Sequence, residues 1–338
     1  MQLNFNFLYF NIMSFSRTIK LTDPILPFVK ENNHEYVKNK TLARLHNCHW
    51  GQVKLFYSEL EFLLEASKYV NVNNCLILYV GAYDGSRLKN FFMKEYFPNI
   101  NFLLYDPLPF AIEESTQIII KNELFDDNKI KDVLEIANGR KILYISDIRV
   151  REDEGISDAQ IYEDMIMQQK WGILMGADFM LLKFRMFFGN ELNFINNNDI
   201  EAISDKIVFK KENTNNMLYL KGKLFTQLYA AKRSTEVRLF VKKIKYHKNN
   251  NQYLYNEQEK YKMAYYDNAH YDGLLNYFNL KVRNTPLIYG ESDRLVEYMP
   301  GYTLSYTTAS EYYLMEKYLS YANTETSFEN ILKRIVGI

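Results

Sequence analysis

The sequence predicts an α/β protein with an open, doubly wound, mostly parallel sheet and helices on both faces. Short apolar runs alternate with helix-period segments, and several of these runs end in a small or polar residue. The clearest run, Cys75–Val80, is continuously apolar and closes at Gly81, as expected for a parallel strand that is covered on both faces. In such a sheet the ligand site lies outside the carboxyl ends of the strands.

A helix is predicted before this strand, because apolar residues after Gly51 recur at helical spacing and mark one buried face. These residues are Val53, Phe56, Leu60, Leu63 and Leu64. Helical character is also predicted over Arg87–Tyr96 and Ala159–Trp171. Further strands are predicted at Phe102–Tyr105, Gln117–Ile120, Lys141–Ile145, Phe179–Leu182, Lys206–Phe209, Leu218–Leu220 and Thr235–Lys242. The regular alternation of strands and helices indicates crossover connections between parallel strands.

Composition excludes several classes of protein. The formal net charge is zero, so a nucleic-acid partner would need a local basic patch rather than a basic surface overall. Cys48 and Cys75 are too few for a disulfide framework and lie too far apart for a metal-ligand motif, which indicates a reducing compartment and predicts no metal. The apolar run from Met1 to Met13 lacks a basic leader, a cleavage site and the length of a membrane span. We therefore expect a soluble, unsecreted protein.

Two features at the ends of the first two predicted strands favour a nucleoside ligand. The segment from Gly81 to Ser86 follows a strand and opens a helix, and its glycines allow a ligand to approach the backbone closely. Asp106 ends the second strand, where a carboxylate can accept hydrogen bonds from ribose hydroxyls. Each feature has a plainer alternative, namely a tight turn and a turn-forming aspartate before Pro107. The segment lacks the G-x-G-x-x-G spacing, which argues against a nicotinamide dehydrogenase.

Charged residues at the ends of two later strands are candidates for chemistry. Asp147 and Lys183 each end a predicted central strand and should project into one crevice, although an ordinary ion pair at a sheet end is the alternative. Glu236 interrupts an alternating strand, and Lys54 lies on the helix before the first strand. Either of these two could also be a solvated surface charge.

Five short segments together are more specific than any one of them. In chain order they are Gly51–Leu55, Leu78–Gly81, Ile145–Arg149, Leu182–Arg185 and Thr235–Leu239. Over residues 36–265 they resemble the poxvirus-type family of cap-specific mRNA (nucleoside-2'-O-)-methyltransferases that also serve as the regulatory small subunit of poly(A) polymerase. The resemblance implies a Rossmann-like methyltransferase fold that uses S-adenosylmethionine. It also implies methyl transfer to the 2'-hydroxyl of the first transcribed nucleotide, which converts cap-0 to cap-1.

The resemblance assigns roles to individual residues. The implied catalytic tetrad is Lys54, Asp147, Lys183 and Glu236. The implied S-adenosylmethionine pocket is lined by Gln52, Gly81, Gly85, Asp106, Phe125 and Asp147. The implied cap and RNA contacts are Tyr36 and Phe188 stacked on the methylated guanine, Glu259 at the edge of that base, and Arg149 at the crevice.

Two departures from the family pattern affect these expectations. The family's proline-bearing loop after the first strand is replaced by Tyr83-Asp84, although the flanking glycines remain. A second cap-pocket tyrosine is replaced around Lys232 and Arg233, which could contact RNA phosphates instead. The altered cap pocket keeps open a ribose methyltransferase that acts on uncapped RNA.

Partners, location and domain limits follow from the same resemblance. It implies capped mRNA as substrate and a poly(A) polymerase catalytic subunit as a partner, so a processivity or stimulatory subunit is a further alternative function. It implies a cytoplasmic location, within virions or at a cytoplasmic replication site. We expect an N-terminal extension over residues 1–35, a methyltransferase domain over 36–265 and a helical or irregular C-terminal extension over 266–338.

Overall fold

The structure is a computed structural model that describes part of the chain in two compact units. The described residues are 18–19, 50–89, 96–149, 157–187, 192–213, 215–230, 234–247, 257–279 and 306–336. The first unit comprises residues 1–68, 225–236 and 273–338, and the second comprises residues 69–224 and 237–272. The domain limits predicted at residues 35 and 265 stay predictions.

The elements alternate along the chain much as the sequence predicts. The helices are α1 (Trp50–Ser67), α2 (Lys129–Ala137), α3 (Asp158–Leu174), α4 (Asn198–Glu201), α5 (Asn268–Tyr277), α6 (Tyr306–Tyr321) and α7 (Phe328–Val336). The strands are β1 (Thr18–Ile19), β2 (Leu76–Val80), β3 (Asn101–Tyr105), β4 (Ile118–Lys121), β5 (Ile142–Ser146), β6 (Phe179–Phe184), β7 (Ile207–Val208), β8 (Met217–Leu220), β9 (Lys223–Phe225), β10 (Val237–Lys242), β11 (Ile244–His247) and β12 (Glu257–Tyr266). Part of the predicted helix over 87–96 lies outside the described residues.

Five adjacent parallel strands of the second unit form one side of the large sheet, from its edge strand β4 to β6. Their order is β4-β3-β2-β5-β6, so the chain starts in the middle, moves to one edge and then returns to fill the other side. This is the doubly wound arrangement, whose ligand crevice lies where the strand order reverses, between β2 and β5. Strand β10 pairs antiparallel with β6, and β9 lies beyond β10. The predicted Rossmann-like, mostly parallel fold is confirmed.

Burial explains why continuous apolar runs become the central strands. Every residue of β2 and of β5 is buried, because both faces of a parallel sheet are covered. Helix α3, which packs beside β6, is capped at its amino terminus by Ser157, whose hydroxyl accepts a hydrogen bond from the Gln160 amide at 3.1 Å. The predicted helix and strands therefore have the right identity, with ends that differ by a few residues.

A second, smaller sheet is built around β12. This strand pairs antiparallel with β11 and β8 and parallel with β7. The strands predicted near 206–209 and 218–220 belong to this sheet and not to the large one. Two predicted details of the large sheet are wrong. Lys183 is not the end of its strand, because pairing with β10 extends β6 to Phe184, and Glu236 lies before β10 rather than inside it.

Helix α1 of the first unit is buried on more than the single predicted face. The five apolar residues that predicted it are buried, and Tyr57, Phe62 and Ala66 are buried as well. Within this unit α6 packs along α1 and α7 packs on α6. The Tyr229 hydroxyl donates a hydrogen bond to the buried carboxylate of Glu311 on α6. No helix among the described residues is long and apolar enough to cross a bilayer.

Candidate functional site

The carboxyl ends of four parallel strands carry the candidate site of the second unit. Register aligns Val80 with Tyr105 on one side and with Ser146 on the other, and Ser146 with Leu182. The residues that follow these positions are therefore level with one another at one edge of the sheet. They are Gly81, Asp106, Asp147 and Lys183.

The turn after β2 requires glycine at two positions. Gly81 has φ of +80°, and a Cβ there would lie 2.9 Å from the carbonyl carbon of Asp147. Gly85 has φ of +69°, and a Cβ there would lie 2.7 Å from the Ile112 side chain. Between them Tyr83 adopts φ of +57°, which is costly for a bulky residue, and its side chain is half exposed. The glycines thus let the turn pass directly against the loop that carries Asp147.

Asp106 joins the turn after β2 to the turn after β3. Its Oδ2 accepts a hydrogen bond from the Tyr83 amide at 2.7 Å, and its Oδ1 accepts one from the Leu108 amide at 2.9 Å. The second bond is the ordinary turn-forming contact that the sequence left open for this residue. The first bond ties the carboxylate to the glycine turn. Since a carboxylate has about four acceptor positions, two backbone donors are compatible with further bonds to ribose hydroxyls.

Asp147 lies between two cations at the same edge. Its Oδ1 lies 2.9 Å from the Lys183 ammonium and accepts a hydrogen bond from the Arg238 guanidinium at 2.7 Å. Lys183 and Arg238 are Cα partners on the antiparallel strands β6 and β10. The Arg238 side chain is 2% exposed, and Asp147 contributes to compensating its buried charge. The structure brings together Asp147 and Lys183 as predicted and adds Arg238 to them.

The other two residues of the predicted tetrad form an ion pair in the first unit. Lys54 Nζ lies 3.6 Å from Glu236 Oε1, and both side chains are partly buried. The Glu236 amide donates to the Ser234 hydroxyl at 3.3 Å, which fixes the chain just before β10. Neither residue is therefore a simple solvated charge. Their catalytic role stays a prediction.

Helix α3 supports this edge with buried polar side chains. Asp164, which is 1% exposed, pairs with Arg149 at 3.2 Å, two residues after Asp147. Gln168 donates hydrogen bonds to the backbone carbonyl of Lys183 and to the Tyr219 hydroxyl. Arg149 thus contacts α3 at the predicted crevice, and its role toward RNA stays a prediction.

Phe125 belongs to the loop that follows β4, and its side chain is buried in the core. Its ring meets Tyr105 and Trp171 edge-on, at centroid distances of 4.9 and 5.0 Å. The Trp171 indole donates to Asp127 at 2.8 Å and holds the same loop to α3. Burial raises the pKa of the Tyr105 hydroxyl to about 12. The predicted contact of Phe125 with adenine stays a prediction.

The structure does not bring Glu259 to this edge. Glu259 pairs with Lys243 at 2.8 Å, and this hydrogen bond lowers the pKa of its carboxyl. Lys243 also lies 3.7 Å from Asp178, the residue immediately before β6. Glu259 therefore belongs to the amino-terminal edge of the sheet, and Lys183 lies roughly 16 Å farther along β6 at strand rise. The structure thus separates Glu259 from Asp147 and Lys183, and its implied contact with the edge of the cap guanine stays a prediction.

Several predicted residues cannot be compared with this geometry. Tyr36, Phe188, Lys232 and Arg233 lie outside the described residues, and Gln52 lies within α1 of the first unit. Sequence reasoning gave no role to Arg238, Asp164 or Gln168. A signal was present, since a charged or amide side chain inside an apolar strand or helix face needs a buried partner. Within the described residues no cluster of His, Cys, Asp or Glu could hold a metal ion.

The fold and the site define the second unit as a Rossmann-like α/β module with a carboxylate and a glycine turn at its strand ends. The family model described as poly A polymerase regulatory subunit matches residues 20–337. The chain belongs to that family, as the resemblance predicted.

Comparison with known proteins adds two distant structural likenesses. Bluetongue virus VP4, whose structure is titled a multifunctional RNA-capping production line, is 15% identical with a TM-score of 0.42, over 64% of this chain and 30% of that one. A putative ribosomal RNA methyltransferase of Plasmodium falciparum is 15% identical with a TM-score of 0.33, over 54% of this chain and 93% of that one. The chain thus spans under a third of bluetongue virus VP4. Likenesses at this level do not define a function, and no curated protein matches.

Proposed function

We propose that this protein is a cap-specific mRNA ribose 2'-O-methyltransferase. It would move the methyl of S-adenosylmethionine to the 2'-hydroxyl of the first transcribed nucleotide. The observation that carries the proposal is the pairing of Lys183 with Asp147 at 2.9 Å, beside the glycine turn and at the level of Asp106. Membership of the poly A polymerase regulatory subunit family is consistent with it, since the poxvirus-type proteins that the sequence resembles are expected to combine both functions.

The described residues at this edge fit a nucleoside cofactor. Asp106 is a nearly buried carboxylate at the strand end where ribose recognition is expected, and its two backbone bonds hold it in place. Gly81 and Gly85 carry no side chain where the adjacent turn passes closest to neighbouring residues. When bound, S-adenosylmethionine supplies a methyl group on a positively charged sulfur. The protein's remaining task is to align the ribose oxygen and to direct its proton.

Lys183 is the residue that we assign to the ribose hydroxyl. An ammonium has three donors, so a bond to Asp147 is compatible with a second bond to the 2'-oxygen. Asp147 fixes the direction of the lysine, and Arg238 fixes Asp147 from the neighbouring strand. The ribose hydroxyl must lose its proton when its oxygen takes the methyl group: beside a Lys183 ammonium that proton would go to water, and Lys183 could accept it only as the neutral amine. The family resemblance implies that Lys54 and Glu236 complete the catalytic tetrad with these residues.

One incubation tests the reaction and its substrate together. The protein is mixed with methyl-labelled S-adenosylmethionine and a short RNA that carries a 7-methylguanosine cap, an unmethylated guanosine cap or no cap. We expect label at the 2'-oxygen of the first nucleotide, mainly in the 7-methylguanosine RNA. Equal labelling of uncapped RNA would support the alternative ribose methyltransferase. Absence of label in all three RNAs would overturn the proposed chemistry.

A regulatory subunit of poly(A) polymerase is the second candidate function, and family membership favours it. The expected partner is a poly(A) polymerase catalytic subunit. Copurification with such a subunit, and stimulation of tail synthesis that persists in Lys183→Met, would show this function to be independent of methyl transfer. Loss of stimulation in Lys183→Met would contradict that independence.

A further inference from the structure

Asn122 connects the turn after β3 to the end of β4. It is the first residue after β4, and its side-chain amide donates to two carbonyl oxygens of the neighbouring turn. The acceptors are Asp106 O at 3.0 Å and Leu108 O at 2.7 Å. Both amide hydrogens can thus serve one turn, the turn that carries the predicted ribose carboxylate.

The same turn is fixed from its other side by the carboxylate itself. Asp106 Oδ1 accepts a hydrogen bond from the Leu108 amide, and Oδ2 accepts one from the Tyr83 amide. The Asp106 amide also donates to Lys121 O at 3.2 Å, in continuation of the β3–β4 pairing. The turns after β2 and β3 therefore hold the Asp106 side chain, and residues at the end of β4 hold the Asp106 backbone. From the end of β4, the Asn122 side chain donates two hydrogen bonds to the backbone of this turn.

We propose that Asn122 is a positioning residue that preorganises Asp106 for the ribose of the nucleoside cofactor. This inference rests on the proposed function. A carboxylate that is already oriented loses less conformational freedom on binding, so affinity rises without any contact between Asn122 and the ligand. Asn122 is exposed, so its replacement leaves the core of the sheet intact.

Asn101 offers a matched control on the opposite edge of the same sheet. It begins β3, and its amide also donates to two backbone carbonyls, Asn73 O at 3.2 Å and Asn99 O at 3.4 Å. Asn101→Ala therefore removes the same kind of bonds from the amino-terminal end of the strand that Asp106 follows. A purely structural effect on β3 would appear in both variants.

The experiment measures S-adenosylhomocysteine affinity by calorimetry in the full chain. We expect Asn122→Ala to weaken binding about tenfold, since two neutral hydrogen bonds are lost. Asn122→Asp keeps the shape but places a carboxylate against two carbonyl oxygens, and it should weaken binding further. Asn101→Ala should bind like the wild type. Wild-type affinity in both Asn122 variants would overturn the inference.

A double-mutant cycle separates positioning from general loosening. In an Asp106→Asn background, Asn122→Ala should cost little extra affinity, because the group that it positions is already weakened. Fully additive losses would show that Asn122 acts independently of Asp106 and would overturn the inference. If the wild type binds neither S-adenosylmethionine nor S-adenosylhomocysteine, the proposed function fails first and the inference fails with it. That result is distinct from failure of the Asn122 variants alone.

Discussion

Lys183 and Arg238 face each other across β6 and β10 and donate to the same oxygen of Asp147, at 2.9 and 2.7 Å. One carboxylate oxygen therefore compensates two cations. Arg238 cannot lose its proton in a protein, so its positive charge beside Lys183 is permanent. The carboxylate of Asp147 lies between these two positive charges and offsets their repulsion. The contacts of Asp147 with both cations therefore fix where the Lys183 ammonium lies and which ribose oxygen it can reach.

The close approach of Gly81 to the Asp147 loop predicts a specific effect of Gly81→Ala. The added Cβ would lie 2.9 Å from the Asp147 carbonyl carbon in a left-handed conformation, so the loop must move. We expect a stability loss of about 2 kcal/mol or more and severe loss of methyl transfer. Gly139→Ala is the control, because Gly139 has φ of +76° with nothing within 4 Å of its Cβ. Urea unfolding and the methylation assay compare the two variants, and equal behaviour would contradict the prediction.

The position of Asp106 predicts that its replacement lowers cofactor affinity, whereas replacement of an aspartate at the other edge of the sheet does not. Asp106→Asn replaces a charged acceptor with a neutral one, which should weaken S-adenosylmethionine binding about 10- to 100-fold. Asp178→Asn is the control, because Asp178 accepts the Ile142 amide at 3.1 Å at the other edge of the sheet. Calorimetry should show near-normal affinity for the control. Unchanged affinity in a folded Asp106→Asn protein would remove Asp106 from the site.

The ends of β2 and β3 were predictable from sequence because their signals are local. A buried parallel strand needs a continuous apolar run, and a turn with φ above zero needs glycine, so β2 and Gly81 could both be predicted. Asp106 followed from its position after the next strand. Each of these inferences uses residues that are close in the chain.

The contacts that the sequence did not predict depend on pairing between strands that are distant in the chain. Arg238 meets Asp147 only because β10 inserts antiparallel beside β6, and no local pattern encodes that neighbour. The resemblance assigned Glu259 to the edge of the cap guanine, whereas in the structure β12 pairs with strands of the smaller sheet and Glu259 pairs with Lys243. Register between distant strands decides both outcomes.

Cys75 predicts a thiol that is inert in the native state. Burial raises its pKa to about 11, with a contribution from nearby Asp178, and the thiol donates to Asn71 O at 3.3 Å. In a Cys48→Ser background, iodoacetamide at pH 8 should label Cys75 only after unfolding. Above about pH 9 the unfolded thiol ionises while the folded thiol keeps its proton, so stability should fall as pH rises from about 9 to 11. Cys75→Ala should lack this part of the decline, and rapid labelling of native protein would contradict the burial.

We predict that the Lys183→Met protein is inactive but stays folded and still binds the cofactor. Asp147 keeps Arg238 as a partner at 2.7 Å, so removal of the lysine charge does not leave that carboxylate uncompensated. Methyl transfer should fall about 10²- to 10⁴-fold, the range for a group that directs a proton, while S-adenosylmethionine affinity changes little. Lys243→Met is the control, because Lys243 pairs with Asp178 at the opposite edge. Loss of activity in both variants would point to folding rather than chemistry.

Lys183→Arg then distinguishes two ways in which Lys183 can act. An arginine keeps the positive charge and can still orient a ribose oxygen, but it cannot accept a proton. If orientation is the main contribution, Lys183→Arg should keep well above the activity of Lys183→Met, with little change in its dependence on pH. If Lys183 accepts the proton, the two variants should be equally inactive and wild-type activity should rise with pH. Single-turnover rates with capped RNA from pH 6 to pH 10 measure the difference, since they report the chemical step without product release. Near wild-type rates in Lys183→Met would overturn the assignment of Lys183, and with it the proposed chemistry of this edge.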